Sequence, residues 1–364
     1  MCGIAGILSN SRYKVEKAAL QKMTDSIAHR GPDGEGQWTD EEQRIGLGHR
    51  RLSILDLSEN GAQPMHYKDR YSIVFNGEIY NYLEIKKTLV SRGYVFNSDS
   101  DTEVLIAAYD LYKEDCLNQF DGMFSFALWD KMENRLFCAR DRFGEKPFYY
   151  HIDEEQNFYF ASEMKALWAA GVQKSFNDNM LFLYLAHDIV ENPQDKSETF
   201  FDGIKKLEAG HCLTWHEGKM VKTKYWDLKI TDEHYHLSEA QVTEKFKSLL
   251  YNSVSLRMRS DVPIGSSLSG GLDSSSLVTI IHELVKDTKQ HCFSARFENF
   301  SKDEGMFIEK LTKVLNIQQH NAWNKPAALA EIFDDILYHQ EEPFQTGSIV
   351  AQWSVYKLAR KENV

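Results

Sequence analysis

Near Trp226 the rhythm of the chain changes, and that change restricts it to two domains of different kinds. Before it, short runs such as RYSIVF, GMFSFALWD and NFYFASE are rich in aromatic and β-branched residues and are broken by HRGPDGEG, NG, DG and RFGEKP, the pattern of strands joined by tight turns. Helical periodicity interrupts at KVEKAALQKMTDSIAH, at YLEIKKTLVSRGY and at DTEVLIAAYDLYKE, where Ser100 and Glu103 have capping-box spacing. This predicts an α+β domain with mixed or antiparallel sheets. Beyond the polar junction YWDLKITDEHYHLSE, strand and helix alternate: a helix SEAQVTEKFKSLLYNSVSLRM, a short strand, a Gly-rich turn and a helix in VPIGSSLSGGLDSSSLVTIIHELVKD, then HCFSARF, EGMFIEKLTKVLN and QQHNAW. Such alternation predicts an α/β domain with a parallel sheet. The domains are expected over residues 2–225 and 238–364.

Composition excludes several function classes. The 364 residues, 42% of them hydrophobic, suffice for a core in each domain. With 54 acidic against 42 basic residues, a net charge of -12 and no dense Lys/Arg run, a nucleic-acid surface is not expected. No apolar run reaches membrane-spanning length and no basic segment precedes the first strand, so a cytoplasmic protein is expected. Five scattered cysteines without a CxxC pair predict reduced thiols rather than disulfides or a zinc site.

The opening MCGIAGILSN puts a cysteine at the second position of an apolar strand. If the initiator methionine is removed, Cys2 carries a thiol and a free α-amine within reach of each other, and an amine with an ordinary pKa of about 8 can take the thiol proton. A lone terminal cysteine is more often a small buried hydrophobe, so its companions decide. Thiolate attack on a carboxamide builds an oxyanion, for which Asn76 offers a side-chain amide and Gly77 an unhindered backbone N–H. Asn-Gly is also the commonest hairpin turn. Arg51 could fork onto the α-carboxylate of an amino-acid substrate, and Glu78 with Asp101 could hold its α-ammonium; alone, Arg51 reads as a solvated strand residue and Asp101 as a first-turn carboxylate.

In the second domain SGGLDSS, Ser269–Ser275, follows a short strand and opens a helix, so its glycines let the backbone approach an anion at the helix N-terminus. No Gly-Lys-Ser/Thr follows, which excludes the Walker loop. Asp273 inside an anion cradle makes sense if magnesium bridges it to pyrophosphate. Ser266 and Ser267 are more polar than a buried parallel strand requires.

MCGIAG, HRGPDG, RLSILD, NGEIYN, DGMFSFALWD, ARDRFGEKPFYY and SEMKAL, in this order, resemble the N-terminal-nucleophile glutaminase domain of glutamine-dependent asparagine synthetases. The resemblance implies a four-layer αββα sandwich, Cys2 as nucleophile, Asn76 and Gly77 as oxyanion hole, and a glutamine site formed by Arg51, Leu52, Ser53, Ile54, Asn76, Gly77, Glu78 and Asp101. SGGLDSS resembles the pyrophosphate loop of ATP pyrophosphatases, which implies an ATP site at Leu268, Ser269, Gly270, Gly271, Leu272, Asp273, Ser274 and Ser275, with Ala295 of HCFSARF near the adenine and magnesium on Asp273. The implied reaction releases ammonia from glutamine and passes it to a carboxylate activated as an acyl-adenylate, with loss of AMP and pyrophosphate. Aspartate is the favoured acceptor, although QTGS in HQEEPFQTGSIVAQWSVYKLAR replaces the family's more acidic, serine-rich version and leaves another carboxylate open. A homodimer is compatible with the resemblance. Sugar-phosphate and phosphoribosyl amidotransferases share the cysteine but not SGGLDSS; β-lactam-forming relatives keep the loop and can lose the cysteine. The family's sequence continues beyond SVYKLARKENV into a further strand and a second Gly-rich acidic turn, so the synthetase half is expected to be incomplete here, leaving a glutaminase-only or regulatory fragment as the alternative.

Overall fold

Strand β1 (Gly3–Leu8) is buried at every position, because the sheet it belongs to is covered on both sides. The structure, a computed structural model, describes residues 1–10, 13–285, 289–298, 300–301 and 303–364. They fall into two units, Met1–Lys229 and Ile230–Val364.

In the first unit the chain runs through helix α1 (Lys17–Ser26), strands β2 (Gly34–Thr39), β3 (Ile45–Arg51), β4 (Met65–Tyr67) and β5 (Tyr71–Ile79), and helices α2 (Tyr82–Ser91) and α3 (Asp101–Tyr112). Strands β6 (Gly122–Asp130), β7 (Arg135–Arg140), β8 (Tyr149–Ile152) and β9 (Phe158–Ala161) follow, then helices α4 (Met164–Ala169) and α5 (Asp178–His187) and strands β10 (Ile204–Lys206), β11 (His211–His216) and β12 (Lys219–Lys224). They make two six-stranded sheets, ordered β10-β8-β9-β1-β3-β2 and β12-β11-β7-β6-β5-β4, antiparallel at each named pairing.

Period-two alternation then sorts the side chains into layers. Ile4, Leu47, Val74, Ala127 and Leu213 fill the space between the sheets. Ala5 and Ile7 pack outward on Met23, Met164, Leu167 and Met180 of α1, α4 and α5, and Ile73, Phe75 and Phe126 pack outward on Leu89 and Leu105 of α2 and α3. The result is the four-layer αββα sandwich.

Two local expectations fail. Asn76-Gly77 is not a turn: β5 continues through it to Ile79, paired with β6 throughout, because ladder bonds on both residues outweigh the dipeptide's turn preference. Ser100 and Glu103 do not form a capping box. Ser100 Oγ accepts from Thr102 N–H at 3.2 Å, while the Glu103 carboxylate accepts from the N–H groups of Asn97 and Ser98 and from the Ser98 hydroxyl. The incoming loop offers Glu103 more donors than the single N-cap N–H does.

The second unit alternates helix α6 (Glu239–Arg257), strand β13 (Gly265–Ser267), helix α7 (Leu272–Leu284), strand β14 (Gln290–Phe297), helix α8 (Gly305–Val314), strand β15 (Ile317–Asn324) and helices α9 (Pro326–Gln340) and α10 (Ser348–Lys361). Strands β13, β14 and β15 form a parallel sheet in that order, around Leu268, Val278, Cys292 and Ile308. A capping box sits on α6, between Ser238 and Gln241. Among the described residues no helix is long and apolar enough to cross a membrane.

Candidate active site

Cys2 precedes β1 by one residue and has the inward parity of Ile4, so its thiol starts the layer between the sheets. Its carbonyl is tied down by Arg30 Nε–H at 2.8 Å. Arg30 is fixed by Glu163, whose carboxylate accepts from Arg30 Nη1–H at 2.7 Å, meets His29 Nε2 at 3.0 Å and pairs with Lys165. Against the burial that would raise it, His29, Arg30 and Lys165 hold the Glu163 carboxyl well below the usual carboxylate range, so the anchor stays charged.

Leu52 N–H donates to Cys2 Sγ at 3.4 Å and the thiol donates to Leu52 O at 3.5 Å. Burial pushes the thiol up, opposed by the Leu52 N–H and the positive amino terminus, so it needs a base. With Met1 attached the Cys2 nitrogen is an amide and supplies none. The Met1 α-amine next to it is lowered to about 6 by burial, a direction that favours an amine able to accept a proton.

Cys2, Gly77, Glu78 and Asp101 line one narrow cleft, with Arg51, Leu52 and Ile54 on its other wall. Ser53 stands behind that wall, its N–H bonded to Asp33 at 2.8 Å. Asn76 lies on the inner face of β5 with Val74 and is 1% exposed. Neither its amide nitrogen nor its amide oxygen has a partner, at a cost of about 1–3 kcal/mol for each buried unsatisfied group. An amide left unpaired in the layer that holds the thiol is suited to an oxygen that appears only during reaction. At Gly77 an added Cβ would lie 2.2 Å from Met123 O and 2.7 Å from Phe124 Cα, so only glycine lets β5 and β6 close beside the thiol.

Glu78 and Asp101 form an acidic pair. Burial pushes Asp101 up to about 7, against the N–H of Ile79, which donates to it at 2.8 Å. Glu78 is raised well above its usual range by burial and then by Asp101. Two buried carboxylates that resist joint ionisation favour a cation such as an α-ammonium. Arg51 is not the open fork expected. Its Nη1 donates to Ser58 O at 2.8 Å and its Nη2 to Leu55 O, at 3.4 Å, and to Asp56 O. The loop after β3 is wrapped on the guanidinium, leaving the Nε–H and one Nη1–H uncommitted among the described residues.

Four residues near the thiol escape site-by-site reading: Arg30, Asp141, Lys146 and Glu163. All lie in HRGPDG, ARDRFGEKPFYY or SEMKAL, and each looks locally like a surface charge; only their burial reveals them.

In the second unit Leu268 is buried at the end of β13, its N–H on Phe293 O at 2.9 Å and its carbonyl accepting from the Ser294 hydroxyl. Gly270 has φ +92°, a conformation glycine adopts without strain. Ser269 and Ser274 bond to each other at 3.0 Å, and Gly271 N–H donates to Ser269 Oγ at 3.3 Å. Leu272 and Asp273 begin α7, followed by Ser274 and Ser275; Ala295 lies on β14. The loop is therefore a closed turn at a helix N-terminus. Asp273 is the one carboxylate in it, and among the described residues no group of three His, Cys, Asp or Glu could hold a metal ion.

Residues 1–226 match the glutamine amidotransferase domain model and residues 245–364 the asparagine synthase model. The chain belongs to the glutamine-hydrolysing asparagine synthetase family. Its relatives include a putative asparagine synthetase [glutamine-hydrolyzing] 2 from Methanocaldococcus jannaschii, 37% identical over 99% of this chain and 72% of that protein. Asparagine synthetase [glutamine-hydrolyzing] 1 from Bacillus subtilis is 36% identical over 99% of this chain and 56% of its own length. Amidase chry2 from Gibberella zeae is 31% identical over 94% of this chain and 54% of its own. This asparagine synthetase family member thus spans from about half to under three quarters of these relatives' lengths.

Proposed function

We propose that the chain is a glutamine-hydrolysing enzyme that supplies ammonia for amidation of a carboxylate, with aspartate the favoured acceptor. The carrying observation is the convergence on one side of the sandwich of a half-buried thiol at the second residue, an unpartnered buried amide at Asn76 and the acidic pair Glu78 and Asp101. In this reading the α-amine exposed by loss of Met1 takes the Cys2 proton, and the thiolate attacks the glutamine carboxamide. Asn76 and Gly77 hold the oxyanion, ammonia leaves, and water clears the thioester to give glutamate. Glu78 and Asp101 receive the α-ammonium; Arg51, Leu52, Ser53 and Ile54 border the α-carboxylate. Domains over 2–225 and 238–364 divide the work.

In the second domain ATP is the activating substrate, with pyrophosphate leaving onto Ser269, Gly270, Gly271, Leu272, Ser274 and Ser275, and with Leu268 and Ala295 toward the base. A single carboxylate fits magnesium only as a ligand shared with phosphate oxygens, and Asp273 would hold it so. A different carboxylate acceptor is the second reading, favoured by QTGS and by the amidase relative. Ammonia release from glutamine and pyrophosphate release from ATP, assayed side by side across a panel of carboxylates, test both. Ammonia release together with aspartate-dependent pyrophosphate supports the first reading, response to another carboxylate alone supports the second, and no ammonia release contradicts both.

A further inference from the structure

Lys146 is a buried cation with almost nothing to bind. It is 5% exposed, and among the described residues the only acceptor of its ammonium is Met1 Sδ at 3.3 Å, a weak thioether acceptor. Its place is nonetheless built firmly. The Asp141 carboxylate, 1% exposed, accepts from the N–H groups of Phe124, Phe143, Glu145 and Lys146 at 2.9–3.1 Å. Arg140 clasps the same turn from the other side, bonding Lys146 O and Gly144 O at 2.7 Å each. A turn held from both sides directs one ammonium at the amino terminus, where its sole acceptor belongs to the residue whose removal creates the nucleophile.

The titratable and charged groups that face Cys2 and the terminal amine are Arg30, Lys146, Asp33, Glu78 and Asp101. Arg30 is committed to Glu163 and to the Cys2 carbonyl. Lys146 makes no close ion pair among the described residues; Glu78 and Glu145 are the carboxylates that act on it, from farther off.

We propose that Lys146 is a positioning residue of the glutaminase site, whose ammonium, released from the Met1 thioether when Met1 is removed, makes the Cys2 thiol and amine give up their first shared proton at lower pH. The inference rests on the reading of Cys2 as nucleophile. The fully protonated pair, thiol with ammonium, first loses one proton to solvent and with it one positive charge, which a fixed cation nearby favours; within the net-neutral pair the S–H bond then breaks and an N–H bond forms on the α-amine, with no further change of charge.

The test is the pH dependence of Cys2 alkylation by iodoacetamide in the processed full chain, read by mass spectrometry of the amino-terminal peptide; the other four cysteines are buried. Lys146→Met should move the midpoint up by about one pH unit or more, the shift typical of losing one nearby charge, and Lys146→Arg should restore it. Lys146→Gln gives the same reading if methionine unfolds the turn. An unmoved midpoint in both neutral variants overturns the inference while leaving the glutaminase reading intact. The expected shift in the variants, together with a wild-type chain that hydrolyses no glutamine, overturns that reading and not the coupling of Lys146 to Cys2.

Discussion

Asn76 separates stability from catalysis most sharply. Its buried amide satisfies nothing in the fold, so Asn76→Ala should leave the melting temperature unchanged or raised while kcat for glutamine hydrolysis falls by roughly 10²–10³ with little change in KM; a loss confined to KM would place Asn76 in ground-state binding instead. Asp101 carries the opposite burden. Its folded carboxyl is pushed up to about 7 by burial, so its contribution to stability is complete below the ordinary carboxylate range and is lost as pH rises through about 7. Asp101→Asn should therefore raise the melting temperature at pH 8 and not at pH 4, while weakening glutamine binding. Thermal melts at the two pH values check the sign, and equal shifts at both would contradict it. At this scale the sequence revealed residue types suited to the chemistry, Cys2, Asn76, Glu78 and Asp101, because amide, thiol and carboxylate each have a reason to be there. Lys146 and Arg30 were illegible: a basic residue next to Gly, Glu or Pro looks solvated until the fold buries it.

Strands and turns decide where those groups point. The Asn-Gly pair was misread as a turn, since the paired edge of β6 that keeps β5 extended lies more than forty residues away in sequence. The failed capping box at Ser100 has the same origin: Glu103 is drawn to three donors from Asn97 and Ser98, a choice that local spacing cannot express. The most consequential turn is that of residues 141–146, organised by one carboxylate. Asp141→Ala would strand the buried N–H groups of Phe124 and Lys146 and the partly buried ones of Phe143 and Glu145, and urea denaturation should show a loss of about 2 kcal/mol or more, given about 1–3 kcal/mol for each buried unsatisfied group; a loss under about 1 kcal/mol would mean that water replaces the carboxylate. The alternation of strand and helix from residue 239 as far as β15, by contrast, was legible, because a parallel sheet needs a crossover between successive strands; α9 and α10 were not read from the sequence.

Across the molecule, the change of rhythm near Trp226 corresponds to a change of architecture: antiparallel sheets packed face to face in one unit and a parallel sheet in the other. Each half has its own hydrophobic clusters, which is why hydrophobic period alone separated them. The order of strands within the sheets was beyond reach, since neighbours such as β1 and β9 join segments some 150 residues apart. The glutaminase half makes the sharper claim on function, and one comparison tests it directly: ammonia release from glutamine by the full chain, freed of Met1, against its Cys2→Ala variant. Hydrolysis by the parent and none above background by a variant of unchanged circular dichroism is the expected result. Equal ammonia release from the two chains would contradict Cys2 as the nucleophile.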